Sequence, residues 1–436
     1  MNSLKHQKIA ILGAGRSGRA AARLALREGG EVMVFDSAPA ERLAHFPEDL
    51  PLCAGATAAD GASFEADLVV VSPGIPGECD FVQAFTRGTA KLIGEVELAA
   101  PLFKGKIVGI TGTNGKTTTT ELVHRMLCAA GLNAQPCGNY GVPFAEILLE
   151  HPDCNAVALE LSSFQLETID TLHPDVSVWL NFSPDHMDRY SEVEEYHAAK
   201  RRIFSNQTAA DTAIIRSGEK VGLVAAKKIS FNSEEDGSDF QLKGDMITFQ
   251  GQSVLDLATS RMRGKHNAEN CMAALGVLHA LGLPLEAGRT AAEGFAPPLH
   301  RCELIRTLDG VEWLNDSKAT NLHALDSALK SQNRPVILIA GGKDKGLDYT
   351  PLRENLTKFA THCIVFGEIS DQLADTFKDT VPLEACNSVQ EAVLLAQKAA
   401  PFGSTVLFSP GTSSFDQFSG YEARGDAFRK AVLELR

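Results

Sequence analysis

Residues 109 to 123 read GITGTNGKTTTTELV, an apolar, β-branched lead-in followed by Gly112, Gly115, Lys116 and a run of threonines. That order suits an anion. Backbone amides of a glycine-rich turn and of the next helix's first turn point at a phosphate, a lysine reaches its terminal oxygens, and a threonine hydroxyl ligates Mg2+. Lys116 and Thr117 fill the last two roles, and ATP is the expected ligand. The strict G-x-x-x-x-G-K-[ST] pattern is not met, because its first glycine falls on Ile110 and the extra glycine, Gly112, lies inside the loop.

Other groups end strand-like runs. Glu160 closes "NAVALE", and "NFSPDHMDRY" sets His186 between Asp185 and Asp188. Carboxylates at strand ends beside a phosphate loop are the usual oxygen ligands of Mg2+. A helix-capping glutamate and a solvated acidic turn are the alternatives, and for His186 the residues alone decide nothing. Lys200, beside Arg201 and Arg202 in "EEYHAAKRRIF", reads as a solvated lysine. Gly13, Gly15 and Gly18 stand in G-x-G-x-x-G register, with Asp36 closing the next strand. The phosphate-loop strand begins near Lys106, which leaves room for one mononucleotide half and favours a nucleoside diphosphate or a tight helix-strand turn over NAD. Asp36 stays open between a ribose or uracil contact and a turn residue. In the last third, "LNDSKATN" (Asp316, Lys318, Thr320), "GGKDKG" (Lys343, Lys345) and "SPGTSSFDQFSGY" supply cations, hydroxyls and exposed amides suited to a dicarboxylate.

These residues need elements to hold them. Each motif ends an apolar strand pattern, and helical patterns alternate with the strands, so an α/β fold with mostly parallel sheets is predicted throughout. "ADLVVVSPGI" is one such strand, ending in Ser72-Pro73-Gly74. The polar stretch from "FNSEEDG" to "VLDL" predicts a hairpin excursion at a sheet edge, "KHNAENCMAALGVLHALG" a helix, and Ser191 with Glu194 a capping-box start. Domain boundaries are expected at Ile93 and at the Pro-Pro pair of "FAPPLHRCEL", giving 1–93, 94–298 and 299–436.

Composition excludes several classes. In 436 residues, 44% hydrophobic and 22% charged, Lys and Arg total 41 against 55 Asp and Glu, a net charge of -14. That balance disfavours nucleic acid and anionic membranes. Nine cysteines, odd in number and without a Cys-x-x-Cys pair, read as reduced thiols of a cytoplasmic protein. The opening apolar run is too short for a signal segment or a membrane span.

Together, "GITGTNGKTTT", "ELSSFQLE", "NFSPDHMDRY", "YHAAKRRIF", "GKHNAEN", "LHR", "NDSKATN" and "SSFDQF", in this order over nearly the whole chain, resemble the Mur ligase family of peptidoglycan precursor synthesis. The resemblance implies an amino-terminal Rossmann-like UDP-binding module, a central phosphate-loop ATPase core and a carboxy-terminal Rossmann-like domain that closes over ATP. It implies an amide bond made at the expense of ATP. The carboxylate of UDP-N-acetylmuramoyl-L-alanine is phosphorylated, and the acyl phosphate is attacked by the amine of D-glutamate. Gly112, Thr113, Asn114, Gly115, Lys116, Thr117 and Thr118 match its ATP loop, with Asn270, Arg301 and Asp316 meeting the nucleotide from elsewhere. Thr117 and Glu160 match ligands of two Mg2+ ions, and His186 a position near the second ion and the reacting centre. Lys200 matches a lysine carbamylated by CO2, which reverses the surface reading. Arg16, Ser17, Asp36, Ser37, Ser72, Pro73 and Gly74 match the UDP-binding edge, and Asn139 a muramoyl contact. Lys318, Thr320, Lys345, Ser414 and Tyr421 match the D-glutamate pocket, with Lys343 a rival to Lys345. A monomer is expected. The competing functions are another amide ligase of the Mur or folylpolyglutamate type, a nicotinamide oxidoreductase built on residues 13 to 36, and a non-catalytic nucleotide-binding regulator.

Overall fold

The first strand, KIAIL, is exposed only at its lysine and buried at the next four positions. Strands covered on both faces read as unbroken apolar runs, which is why the sequence displays them so plainly. The computed structural model describes residues 4–88, 90–187, 189–260, 262, 264–295, 299–332 and 334–436. Asp188 and the Pro297-Pro298 boundary lie outside the described residues. The chain divides into two compact units, one of Met1–Asp256 with Glu269–Glu293 and one of Leu257–Ala268 with Gly294–Arg436.

The first unit holds two sheets. One comprises β1 (Lys8–Leu12), β2 (Glu31–Asp36), β3 (Leu52–Ala54), β4 (Leu68–Val71) and β5 (Lys91–Gly94), in the order β3-β2-β1-β4-β5 and parallel throughout. Its order reverses between β1 and β4, where ligands of open α/β sheets sit. The other comprises β6 (Lys106–Thr111), β7 (Ala134–Gly138), β8 (Ala156–Glu160), β9 (Val176–Trp179), β10 (Thr212–Arg216), β11 (Lys227–Asn232), β12 (Phe240–Lys243), β13 (Met246–Phe249) and β14 (Gln252–Asp256), ordered β14-β13-β12-β11-β10-β9-β6-β8-β7. The strands β12, β13 and β14 form the expected antiparallel excursion.

The second unit carries β15 (Glu303–Leu308), β16 (Val311–Asn315), β17 (Val336–Gly341), β18 (Ala360–Phe366), β19 (Leu383–Ala385) and β20 (Thr405–Phe408), ordered β15-β16-β20-β17-β18-β19. All pairs are parallel except β15 with β16, an edge hairpin turned at Asp309-Gly310, a favoured two-residue hairpin turn that the sequence reading passed over. Among the described residues no helix is long and apolar enough to cross a membrane.

The short helix Glu95–Ala99 joins the two sheets of the first unit, and both its glutamates are buried. Glu97 accepts from the amides of Asp170 (3.0 Å), Thr171 (2.7 Å) and Leu172 (3.0 Å) and from the Thr171 hydroxyl (2.5 Å). Glu95 accepts from the Ala145 amide at 2.5 Å, at the start of the Phe144–Glu150 helix. A carboxylate leaves water only against full hydrogen bonding, so these contacts specify one arrangement of the two sheets. Arg16 and Arg27 add bonds to the carbonyls of Gly141 (2.8 Å) and Leu148 (2.6 Å). An apolar cluster runs from Ala21 and Leu24 through Phe144 to Trp179.

One local expectation shifts by a residue. The Val193–Arg201 helix is capped by Glu192 with Glu195, not by Ser191 with Glu194. Ser191 instead donates its hydroxyl to Glu195 at 2.8 Å, so the serine supports the box from outside it.

Burial pushes the Glu95 carboxyl from 4.5 up to about 7, against the Ala145 amide. A raised folded value means that the folded chain keeps a proton the unfolded chain has lost. Glu95 therefore contributes stability that is complete below 4.5 and is lost as pH rises through about 7, on the order of 3 kcal/mol. Glu95→Gln keeps the acceptor without the titration. Its calorimetric unfolding midpoint is expected to fall less than that of the unaltered protein between pH 5 and 8, and parallel curves would refute this.

Candidate active site

At the end of β6 the Thr111 hydroxyl donates to the Leu161 carbonyl at 2.9 Å, and the chain turns into the loop 112–115 before the Lys116–Ala129 helix. Ile110 is wholly buried in the strand. The glycine of the longer loop pattern would therefore fall inside the core, and the loop here starts later, at Gly112. A Cβ at Gly112 would lie 2.9 Å from that of Leu180, and one at Gly115 (φ +83°) only 2.4 Å from Asn270 Oδ1. Asn181, two residues past β9, braces the loop. It accepts from the amides of Thr113 (2.9 Å, on its carbonyl) and Asn114 (2.9 Å, on Oδ1), and its own side-chain amide donates to the Asn114 carbonyl at 3.2 Å. Asn270 reaches the same helix by accepting from the Thr119 hydroxyl at 3.1 Å. Thr117 is half-buried and Thr118 buried in the first helical turn.

Two lysines share one acceptor. Lys116 Nζ donates to the carbonyls of Gly112 (2.8 Å) and Thr113 (2.9 Å), and Lys200 Nζ donates to the Gly112 carbonyl at 2.9 Å. Lys200 is 1% exposed, which overturns its reading as a solvated lysine. The Val193–Arg201 helix turns Tyr196, Ala199 and Lys200 inward while Arg201 and Arg202 face water. The four-residue spacing of Tyr196 and Lys200 was the available signal. Burial, and then the charge of Lys116, hold Lys200 well below the usual lysine range, with Asp185 and Glu160 opposing.

Glu160, the last residue of β8, is 1% exposed. Its Oε1 accepts from Asn139 Nδ2 at 2.7 Å, whereas Oε2 is buried with no hydrogen-bond partner. The capping reading fails, since Ser162 caps the next helix by accepting from the Gln165 amide at 3.2 Å. A buried carboxylate oxygen without a donor suits a hard cation. Among the described residues no group of three or more His, Cys, Asp or Glu could hold a metal. A cation at Glu160 would therefore draw on hydroxyl, water or phosphate oxygens. His186, in the left-handed region at φ +58°, packs its ring 5.0 Å from that of Phe164 and 5.9 Å from that of Tyr196. Tyr196 lies 3.4 Å from the Thr113 hydroxyl and its ring 4.8 Å from Lys200 Nζ, so His186, Lys200 and the loop are neighbours through one tyrosine.

At the carboxyl edge of the first sheet, a Cβ at Gly13 would sit 2.6 Å from Ser72 Oγ, and one at Gly18 1.9 Å from the Gly13 carbonyl. The glycine turn and the loop 72–74 therefore touch at the strand-order reversal. Asp36 serves the turn. Its two oxygens accept from the amides of Ala14 (2.7 Å) and Ala38 (2.9 Å). Arg16 is directed to Gly141 and Glu146, Ser37 is exposed, and Ser17 is half-buried beside the turn. Arg189, which the sequence reading passed over, stacks 4.1 Å over Phe164, pairs with Glu167 at 2.7 Å and donates to the Pro73 carbonyl at 3.0 Å. It ties the loop 72–74 to the His186 segment.

In the second unit, the carboxyl ends of the neighbouring strands β16, β20 and β17 carry the segments 316–320, 409–415 and 342–346. Asp316 accepts from the Ser409 hydroxyl (2.8 Å) and the Cys302 amide (3.1 Å), and burial pushes it up to about 7. Arg301 follows His300 and precedes Cys302, which hold φ +65° and +46°. Lys318 Nζ lies 3.8 Å from the Tyr421 ring centre, and Lys345 Nζ 3.5 Å from the Thr320 carbonyl. Lys343 and Lys345 are exposed and Ser414 is buried. The sequence reading also passed over Arg424, wholly buried behind these loops.

Parallel sheets with a braced phosphate loop, one buried and one half-buried lysine and a buried carboxylate at one strand end define a nucleotide-using α/β enzyme. The model of the Mur ligase middle domain matches residues 110–278, and that of the Mur ligase MurD-like N-terminal domain matches residues 7–94. The chain belongs to the Mur ligase family. It is similar to proteins named UDP-N-acetylmuramoylalanine--D-glutamate ligase. One from Pelodictyon phaeoclathratiforme is 39% identical over 99% of both chains, and one from Geobacter metallireducens is 39% identical over 98% of both. Solved structures with this fold include the MurF ligase from Thermotoga maritima in complex with ADP (TM-score 0.63, 16% identity, covering 100% of this chain and 99% of that one). A pseudomurein peptide ligase type C from Methanothermus fervidus has a TM-score of 0.62 at 16% identity, covering 99% of this chain and 100% of that one.

Gly115→Ala would place a methyl group against Asn270 in a backbone region that alanine resists. The variant is expected to bind ATP at least about tenfold more weakly by calorimetric titration, with only a modest loss of thermal stability. Unchanged affinity would remove this loop as the nucleotide site.

Proposed function

We propose that the chain is an ATP-dependent amide ligase that joins D-glutamate to UDP-N-acetylmuramoyl-L-alanine in the cytoplasm, acting as a monomer. The observation that carries the reaction class is the orphaned Glu160 oxygen beside a phosphate loop whose Gly112 carbonyl holds two lysines. The substrates follow from the full-length relatives of that name at 39% identity.

A carboxylate is a poor electrophile, so the reaction needs activation. An oxygen of the alanine carboxylate attacks the γ-phosphorus of ATP, and the bond to the bridging oxygen breaks, releasing ADP. The amine of D-glutamate then attacks the acyl carbon and loses a proton, and phosphate departs as the amide forms. Residues 112–118 orient the triphosphate, and Lys116 exchanges loop carbonyls for phosphate oxygens, spreading charge over the transferring group. Asn270 adds a nucleotide contact within the first unit, and Arg301 and Asp316 are the nucleotide-contact candidates of the second. Thr117 and Glu160 would hold one Mg2+, and His186 and Lys200 would serve a second. When bound, such ions neutralise phosphate charge. The depressed basicity of Lys200 favours its neutral amine, the form that adds to CO2 with loss of a proton. The carbamate so formed is an anionic oxygen ligand.

In this reading the UDP part lies along Arg16, Ser17, Asp36, Ser37 and the loop 72–74, with Asn139 toward the muramoyl group. Lys318, Thr320, Lys345, Ser414 and Tyr421 take D-glutamate. In the same reading the substrate, ATP and amino-acid domains span 1–93, 94–298 and 299–436. A first sheet of five strands favours a single nucleotide half over a dinucleotide site.

With ATP and UDP-N-acetylmuramoyl-L-alanine present, phosphate release is expected when D-glutamate is supplied from an amino-acid panel. Release with another amino acid instead would overturn the assignment. Lys200→Ala is expected to lose on the order of 100-fold in turnover and to regain part of it with added short-chain carboxylates. Full activity without them would return Lys200 to a structural role.

A further inference from the structure

Arg424 lies in the Tyr421–Glu434 helix, three residues after the ring that meets Lys318, and is 0% exposed. Its hydrogen bonds all go to neutral groups. Nε donates to the Ser317 hydroxyl (3.1 Å), Nη2 to the carbonyls of Ser317 (2.8 Å) and Thr412 (3.0 Å), and Nη1 to that of Ser413 (3.1 Å). The Ser317 hydroxyl passes the connection on, donating to the Tyr421 carbonyl at 2.8 Å. The third loop closes over the same group. A Cβ at Gly342 (φ +139°) would stand 2.9 Å from Nη1 and 2.4 Å from the Ser413 carbonyl.

One guanidinium thus meets the loops after β16, β17 and β20, the segments that carry Lys318 and Thr320, Lys343 and Lys345, and Ser414. A planar fork with five fixed donors can address several segments at once, which an ammonium on a flexible stem cannot. Burial lowers Arg424 to about 10, so it remains charged at neutral pH. A buried cation whose hydrogen bonds go only to dipoles, with the carboxylates of Asp416 and Asp316 acting on it through their charge alone, is a poor way to gain stability, since apolar packing serves as well or better. Its charge does act on an anion placed on the far side of those loops.

We propose that Arg424 is a positioning residue for the amino-acid substrate, holding three loops in the arrangement that grips a dicarboxylate and adding positive potential from beneath. The inference rests on the reading that these loops bind D-glutamate, so two variants are needed. Lys318→Ala tests the pocket, and a KM for D-glutamate unchanged in it would sink that reading. Arg424→Lys keeps the charge and loses the fork. It is expected to raise the KM for D-glutamate about tenfold or more while those for ATP and the UDP substrate stay within about twofold. If Lys318→Ala raises the KM and Arg424→Lys leaves it unchanged, or shifts all three constants alike, the role of Arg424 falls alone.

Arg424→Ala with millimolar guanidinium adds a second readout. Recovery of D-glutamate affinity supports the assignment, and no recovery in a folded variant counts against it. Should both Arg424 variants fail to fold, Ser317→Ala removes a single acceptor. It is expected to raise the same KM about threefold, and no change there overturns the proposal.

Discussion

Two carboxylates on a helix of five residues set the geometry on which the first unit depends. Glu95 and Glu97 follow the glycine-turn sheet and end in backbone amides of the helix and loop that flank the phosphate-loop sheet, where they are almost wholly removed from water. Apolar contact alone would tolerate sliding between the two layers. A carboxylate that must find its donors in one place does not, because each missed bond leaves a buried acceptor exposed to its full desolvation cost. The loop 72–74 and the His186 segment lie within reach of a single arginine, Arg189, because the seam is directional.

The same chemistry recurs with opposite sign. Lys116 and Lys200 converge on the Gly112 carbonyl, and Arg424 on the carbonyls of Ser317, Thr412 and Ser413. In each case a backbone dipole does what water does outside. Lys116 and Arg424, which stay charged, keep most of their field when held this way, since little solvent lies between them and an approaching anion. The folded chain gives up stability at these points in return for preorganised positive potential at its loops.

Much of this is legible in the sequence. Strands such as VILIAG and LVVV announce themselves because parallel sheets bury both faces, and loops that must admit a phosphate or close on a helix advertise their glycines. Glu160 stood out as the terminal residue of an apolar run. What stayed hidden were charges whose partners are distant backbone groups. Glu95 and Glu97 in GEVELAA look like an exposed helix start, Lys200 looks like one of three solvated cations, and Arg424 like an ordinary surface residue of a charged helix. Periodicity carries no sign of a carbonyl more than a hundred residues away, such as that of Ser317 for Arg424. The edge pair of β15 and β16 did have a signal, since Asp309-Gly310 with both φ values positive is the two-residue turn that hairpins favour, and the sequence reading passed over it.

The free thiols sort by depth. Cys137, Cys154, Cys271, Cys363 and Cys386 are buried, and burial raises the pKa of each thiol, so they stay protonated and shielded. Cys128 is exposed near the end of the Lys116–Ala129 helix, whose first turn belongs to the phosphate loop. At 1.5 Å per residue, it stands about 18 Å from Lys116 along a rigid rod. A maleimide dye attached there would ride on the element that begins at the nucleotide, giving an optical reporter anchored to the loop without touching it.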